Sequence, residues 1–181
     1  MLDSVGLDDV PVAPAVGQLG DHYDDGNREL RLSENVYGGT SIYSIAVAAH
    51  EAGHAVQHEI RYPFLIFRTA VIPVARFGPG VGYVLMLLGG GLLFAGIGPI
   101  GLRVAIVGAA IYALTLSLTF ASLPIEFNAS NRAISLLESN NMISDDERAG
   151  VKSVLDAAAL TYVAAAATSL TNIFRLLRPI R

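Results

Sequence analysis

Cysteine is absent from the 181 residues. That excludes disulfides and thiolate ligands, so any metal the chain holds must sit on histidine and carboxylate. Charge is scarce as well, at 15% Asp, Glu, Lys and Arg, and apart from Arg103 none of it lies between Arg76 and Glu126. The net charge of -4 leaves no basic footprint, so nucleic acid is not expected as a partner. Met1 to Asp9 has neither a basic n-region nor an apolar run. No signal peptide is expected there, and membrane insertion would rest on internal segments. Apolar residues, by contrast, are abundant: they make up 52% of the chain, and the mean hydropathy is +0.50. Such values are high for a soluble protein, and a membrane is the natural explanation.

One stretch carries chemistry. His50-Glu51-Ala52-Gly53-His54 sets two imidazoles four residues apart on nearly one helix face. Both can then reach a single ion, and Glu51 beside the first can act on a metal-bound water. This is a hydrolase signature; the alternative is a pair of ordinary histidines on an amphipathic surface helix. Gly38-Gly39-Thr40-Ser41 breaks the chain and offers Thr40 or Ser41 as an N-cap, after which 42–59 has no proline and reads as helix. Ile45, Ala48, Ala49, Ala52 and Val56 would bury one stripe, turning His50, Glu51 and His54 toward a cleft. Gly53 costs about 1 kcal/mol of helix propensity against Ala, which points to a backbone or side chain packed close to it. His58 would lie about 12 Å along the axis from His50. One tetrahedral ion cannot easily take all three histidines, so His58 reads as a supporting or structural residue.

Ahead of this helix, 1–20 reads as an extended arm in which Val10 to Val12 could pair at a sheet edge. Asp21 to Asn27 is dense in turn formers, and Glu29-Leu30-Arg31-Leu32-Ser33 alternates like a short strand. His22 is a candidate third ligand or transition-state donor, against the plain reading of a solvated histidine in a polar turn. An exposed strand edge in front of the helix could hold an extended peptide, which makes Leu30 to Ser33 a candidate cradle.

Arg61, Arg68 and Arg76 interleave with Phe64, Leu65, Ile66 and Phe67, the pattern of an interfacial segment, with a core helix as a close alternative. The uncharged runs 77–102 and 104–125 cover ~26 and ~22 residues, each enough to cross a hydrocarbon core of about 30 Å. Pro99 to Arg103 is the expected turn between these spans, and Gly78, Gly82, Gly89, Gly90, Gly91 and Gly96 would allow close helix approach. A soluble helical core is the weaker reading. A hairpin returns the chain to its starting side, so a helix over 124–140, with Pro124 in its first turn, can meet the His50 helix. Its Glu126 is the acid best placed to complete the two histidines, or else one that merely complements a helix dipole. Ser144 to Glu147 forms a capping box that opens a last helix over 145–178, a candidate third span. Arg61, Arg68, Arg76 and Arg132 outnumber Arg103, which favours a cytoplasmic site; Arg175, Arg178 and Arg181 nearly cancel that bias if the last helix spans.

The expected fold is mainly α: an integral-membrane helical protein with a zincin-like helix, a short N-terminal strand or hairpin and a transmembrane helical hairpin. A single domain would cover 1–181, with the arm and strands in 1–40 and the zinc helix in 41–60. Asp21 to Asp24, Arg31 to Ser33 with Val36-Tyr37, Ala48 to His58, Pro124 to Ser130 and Ala158 to Ala164 together resemble the bacterial YugP-type membrane zinc metallopeptidases. The resemblance covers essentially the whole chain. It implies one zinc ion on His50, His54 and Glu126, with Glu51 as general base. It also implies a peptide or membrane-protein segment as substrate, the lipid bilayer as surroundings, and the cell membrane of a prokaryote as location. That family is similar in turn to the HtpX-like membrane proteases. There the fourth residue after the ligand Glu is commonly Asp, where this chain has Ser130, so support of a metal histidine would fall to Asn128 or another group. YugP-type proteins usually begin with an additional hydrophobic helix that has no counterpart here. The oxyanion donor stays open among His22, Tyr37 and Arg132. The rival reading is a catalytically silent zinc-binding membrane scaffold or adaptor.

Overall fold

The computed structural model describes residues 1–15 and 20–177, with side chains through Thr171. Arg178, Arg181 and the last residue of the expected 145–178 helix lie outside the described residues, as does the Arg175 side chain. A short 3-10 turn at Asp3–Val5 precedes β1 (Val12–Pro14), β2 (His22–Asp24) and β3 (Glu29–Leu32). The helices are α1 (Glu34–Tyr37), α2 (Ile42–Glu59), α3 (Pro63–Phe94), α4 (Gly98–Ser139) and α5 (Asp145–Leu177). The chain packs as two compact units. Met1–Leu65 joins Leu123–Ala164 in the first, and Ile66–Ser122 joins the described part of Ala165–Arg181 in the second.

In the first unit the sheet order is β1-β3-β2, with β3 parallel to β1 and antiparallel to β2. This overturns Leu30 to Ser33 as an exposed cradle, because β3 is the central strand and its ladder bonds are taken on both sides. The arm supplies the third strand: Leu30 N donates to Pro11 O at 2.9 Å and Ala15 N to Leu32 O at 2.7 Å. Pro14 is tolerated because β1 is an edge strand, where a missing N–H breaks no ladder.

Ser41 caps α2, its hydroxyl accepting from Ser44 N at 3.1 Å. The buried stripe of α2 is Ala46, Ala49, Ala52 and Ala55, each at most 1% exposed. The expected stripe is therefore rotated slightly, with Ile45 and Val56 on its flanks. Ala46 and Ala49 pack with Ala133 and Leu137 of α4 and Val151 and Leu155 of α5. Ala52 and Ala55 pack with Leu7, Val10, Leu30 and Leu136. So small a stripe brings backbones together, and a Cβ at Gly53 would fall 2.5 Å from Ala129 O. Here is the close neighbour that a glycine in mid-helix demands.

In the second unit, α3 and the first part of α4 form an apolar pair. The turn between them lies at 95–97, rather than at Pro99 to Arg103. Gly96 adopts φ +82°, and Ile97 N donates to Leu92 O at 2.9 Å, which closes α3 with a left-handed cap. Pro99 falls instead in the first turn of α4, where a missing N–H costs nothing. A Cβ at Gly82 would lie 2.8 Å from Gly108 O, and one at Gly78 2.5 Å from Thr115 Oγ1. Gly90 and Gly91 meet nothing within 4 Å and take no part in this close approach.

The expected interfacial segment and first span merge into α3, and the second span and the Glu126 helix merge into α4. Pro124 consequently sits inside α4 instead of opening a helix. An interior proline costs about 3 kcal/mol. Burial of Ala121, Ile125 and Ala129 around it outweighs that local preference. Among the described residues, three helices are long and apolar enough to cross a membrane: Pro63–Phe94, Gly98–Ser139 and Asp145–Thr171. The fold is thus a mainly helical membrane architecture with a small three-stranded sheet.

Candidate metal centre

The α2–α4 contact in the first unit builds the centre. His50 and His54 leave one face of α2, and Glu126 reaches them from α4, itself only 3% exposed. His50 Nε2 lies 3.1 Å from Glu126 Oε2 and 3.1 Å from His54 Nε2, and His54 Nε2 lies 3.6 Å from Glu126 Oε2. Zinc bonds of about 2.0–2.1 Å at tetrahedral angles require ligand atoms roughly 3.3 Å apart. The three atoms therefore form the base of such a tetrahedron, and the donor set fits zinc.

Hydrogen bonds fix which ring nitrogens face this point. Gln57 is fully buried, and its amide nitrogen donates to Ile125 O at 2.7 Å and Asn128 Oδ1 at 3.0 Å. Its Oε1 is left to accept from His54 Nδ1 at 2.9 Å. In the neutral ring His54 Nε2 then carries the lone pair. Ser130 Oγ stands 3.2 Å from His50 Nδ1 and holds that ring, accepting from it when Nδ1 carries the proton. Ser130 thus occupies the supporting position for which the sequence offered Asn128 or another group. Asn128 supports the other histidine indirectly, through Gln57, and Arg132 Nε donates to Asn128 Oδ1 at 2.9 Å.

The electrostatics follow from burial and these contacts. Buried Glu126 lies within reach of both rings, so its carboxylate is held by His50 and His54 rather than by water. For His54, burial opposes the charged ring, yet the hydrogen bond to Glu126 and the field of Glu51 prevail and raise its pKa. The two rings and the carboxylate thus meet at one point, where a divalent ion would supply the positive charge.

Glu51 is buried beside His50, and its Oε2 accepts from Tyr23 N of β2 at 2.9 Å. A cavity of about 220 Å³ opens on the centre, lined by Asp21, Val47, His50, Glu51, Glu126, Val154, Leu155, Ala158 and Tyr162. His22 Nδ1 donates to Gly20 O at 2.8 Å and is not one of the three clustered ligands. Tyr37 is 53% exposed at the end of α1. Asn128 and Arg132 line another cavity, of about 440 Å³. His58 Nδ1 pairs with the Tyr23 hydroxyl at 2.9 Å, in keeping with a supporting role.

Sequence reasoning missed Gln57, Asp21 and Tyr162 as parts of the centre. Gln57 had a usable signal: an amide three residues after His54, on the side of α2 that packs. Tyr162 had little beyond its place in an alanine-rich helix.

A family model described as "Putative neutral zinc metallopeptidase" matches residues 1–181. The chain is also 47% identical over 178 residues to "Putative membrane protease YugP" of Bacillus subtilis (strain 168), which covers 98% of this chain and 75% of that relative. No solved structure matches.

Proposed function

Since the chain belongs to this neutral zinc metallopeptidase family, we propose that it is a membrane endopeptidase in which one zinc ion on His50, His54 and Glu126 serves hydrolysis of peptide bonds with Glu51 as general base. The observation that carries the reading is the ligand triangle, with both Nδ1 atoms engaged elsewhere so that both Nε2 lone pairs converge. Bound there, zinc would supply Lewis-acid polarisation of a carbonyl and lower the pKa of water toward about 7.

The chain's own residues supply the rest. Tyr23 N holds Glu51 Oε2 and leaves the other oxygen to take a proton from the attacking water and pass it to the leaving amine. Val47, Val154, Leu155 and Ala158 keep the cavity wall apolar, which strengthens each charge interaction inside it. Tyr162 lines that cavity and is the residue we assign to the developing oxyanion, ahead of His22, Tyr37 and Arg132. The substrate is a peptide or membrane-protein segment. The location is a prokaryotic cell membrane; Arg61, Arg68, Arg76 and Arg132 against Arg103 favour a cytoplasmic site, a bias that Arg175, Arg178 and Arg181 nearly cancel when the last helix spans.

The test is metal content and proteolysis measured together on purified protein and on Glu51→Gln. About one zinc per chain in both, with turnover only in the parent, is the expected outcome. No zinc in the parent, or equal turnover in the variant, overturns the reading and leaves a silent scaffold.

A further inference from the structure

Resting on the peptidase reading, we propose that Asp21 is a subsite for a cationic group of the substrate, placed next to the bond to be cut. Asp21 lies in the turn leading into β2 and lines the same 220 Å³ cavity as His50, Glu51 and Glu126. It is not a further ligand: the cluster whose donor atoms lie within 4.8 Å of one another contains His50, His54 and Glu126 only, among the described residues. Its Oδ1 accepts from Ser33 N at 2.6 Å, which fixes the carboxylate at the cavity wall and leaves Oδ2 outside that bond.

The remainder of the cavity is what gives that oxygen a purpose. Glu126 belongs to the metal and Glu51 to the reacting water, while Val47, Val154, Leu155 and Ala158 are aliphatic. No Lys or Arg lines the cavity or pairs with Asp21 among the described residues. A carboxylate in such a wall gains most from a positive charge that arrives with a ligand. A volume of 220 Å³ corresponds to a space roughly 7–8 Å across, and an extended peptide advances about 3.3–3.6 Å per residue. Asp21 is therefore within about two residues of the scissile bond. The cation is a Lys or Arg side chain near the cut, or the free α-amino group of a peptide cut close to its end.

Asp21→Asn separates this role from a structural one, because the amide oxygen still accepts from Ser33 N while the charge is gone. The probes are internally quenched peptides of one sequence, carrying Lys or norleucine at each of the two positions either side of the cut. Each is made with a free and with an acetylated N-terminus, and each is tested on zinc-loaded full-length chain in lipid nanodiscs. The parent should cleave one Lys peptide, or the free-amine peptide, at least about tenfold faster in kcat/KM than its neutral counterpart. In Asp21→Asn that ratio should fall to near one. Dependence on Lys identifies the side chain, and dependence on acetylation identifies the terminus. Binding of the same peptides to Glu51→Gln, with and without Asp21→Asn, is read by fluorescence anisotropy. Cleavage without charge preference in the parent, or a preference that survives Asp21→Asn, overturns the subsite and leaves the peptidase standing. Tighter, Asp21-dependent binding of the cationic peptide with no cleavage by the parent overturns the peptidase and supports the subsite.

Discussion

Gln57 presents its Oε1 to His54 Nδ1 at 2.9 Å because its amide nitrogen is already committed to Ile125 O and Asn128 Oδ1. One side chain therefore sets the tautomer of a metal-facing histidine and ties α2 to α4 at once. Neither task can be filled by water, since Gln57 has no exposed surface.

Gln57→Leu keeps the volume and removes both functions. It strands His54 Nδ1 in the interior, at about 1–3 kcal/mol for a buried unsatisfied group. Zinc affinity should fall by about 10–100-fold, as for other partners that orient a ligand. Chelator competition and thermal unfolding of the purified chain measure both. Parent-like zinc affinity in the variant would refute the assignment.

Gly53→Ala should destabilise the first unit even though alanine favours helix by about 1 kcal/mol. The added Cβ meets Ala129 O at 2.5 Å and Ala129 Cα at 3.2 Å, and backbone cannot swing aside. The overpacking penalty is about 1–3 kcal/mol. Since Ala129 lies between Glu126 and Ser130, the shift should also loosen zinc binding. A more stable, zinc-competent variant would show that the α2–α4 spacing is softer than this.

What the sequence made legible was the part governed by local spacing. The four-residue interval between His50 and His54, the cap at Ser41 and the charge-free runs are each readable over a few residues, and each stands in the fold. Glu126 was legible only as an acid in a favourable place, because its role depends on a contact across 76 positions. The misplaced elements share one cause. Pro99 and Pro124 were read as punctuation between helices, yet one falls in the first turn of α4 and the other is carried in its interior by buried neighbours. β3 looked like a free edge because the edge pairing read at Val10 to Val12, which forms at Val12–Pro14, carries no local sign of which strand it joins. Tyr162 and Asp21 became visible only as walls of a cavity, a property no single segment possesses.

The two halves of the glycine-rich stretch should respond differently to bulk. Gly82→Leu drives a side chain into Gly108 O and Tyr112 N, which lie 2.8 and 3.0 Å from the new Cβ. Gly90→Leu meets nothing within 4 Å and gains about 1 kcal/mol of helix propensity. Thermal unfolding in detergent should place Gly82→Leu below the parent and Gly90→Leu at or above it. The reverse order would mean that α3 and α4 pair through another face.

Ser130 is a test of how the centre holds His50 with a hydroxyl, and no carboxylate, four residues after Glu126. Its hydroxyl lies 3.2 Å from His50 Nδ1 and is a neutral acceptor, so it orients the ring but does little to raise its basicity. Ser130→Ala should cost about tenfold in zinc affinity by freeing the ring to rotate and to exchange tautomers. Ser130→Asp puts charge on the same hydrogen bond, and charge-assisted bonds are roughly twice as strong as neutral ones. It should bind zinc at least as tightly as the parent, read by the same chelator competition. If Ser130→Ala leaves affinity unchanged, the ring is held by packing alone. If Ser130→Asp binds zinc more weakly while staying folded, the centre is tuned to a neutral partner, and its total negative charge is what limits the metal it holds.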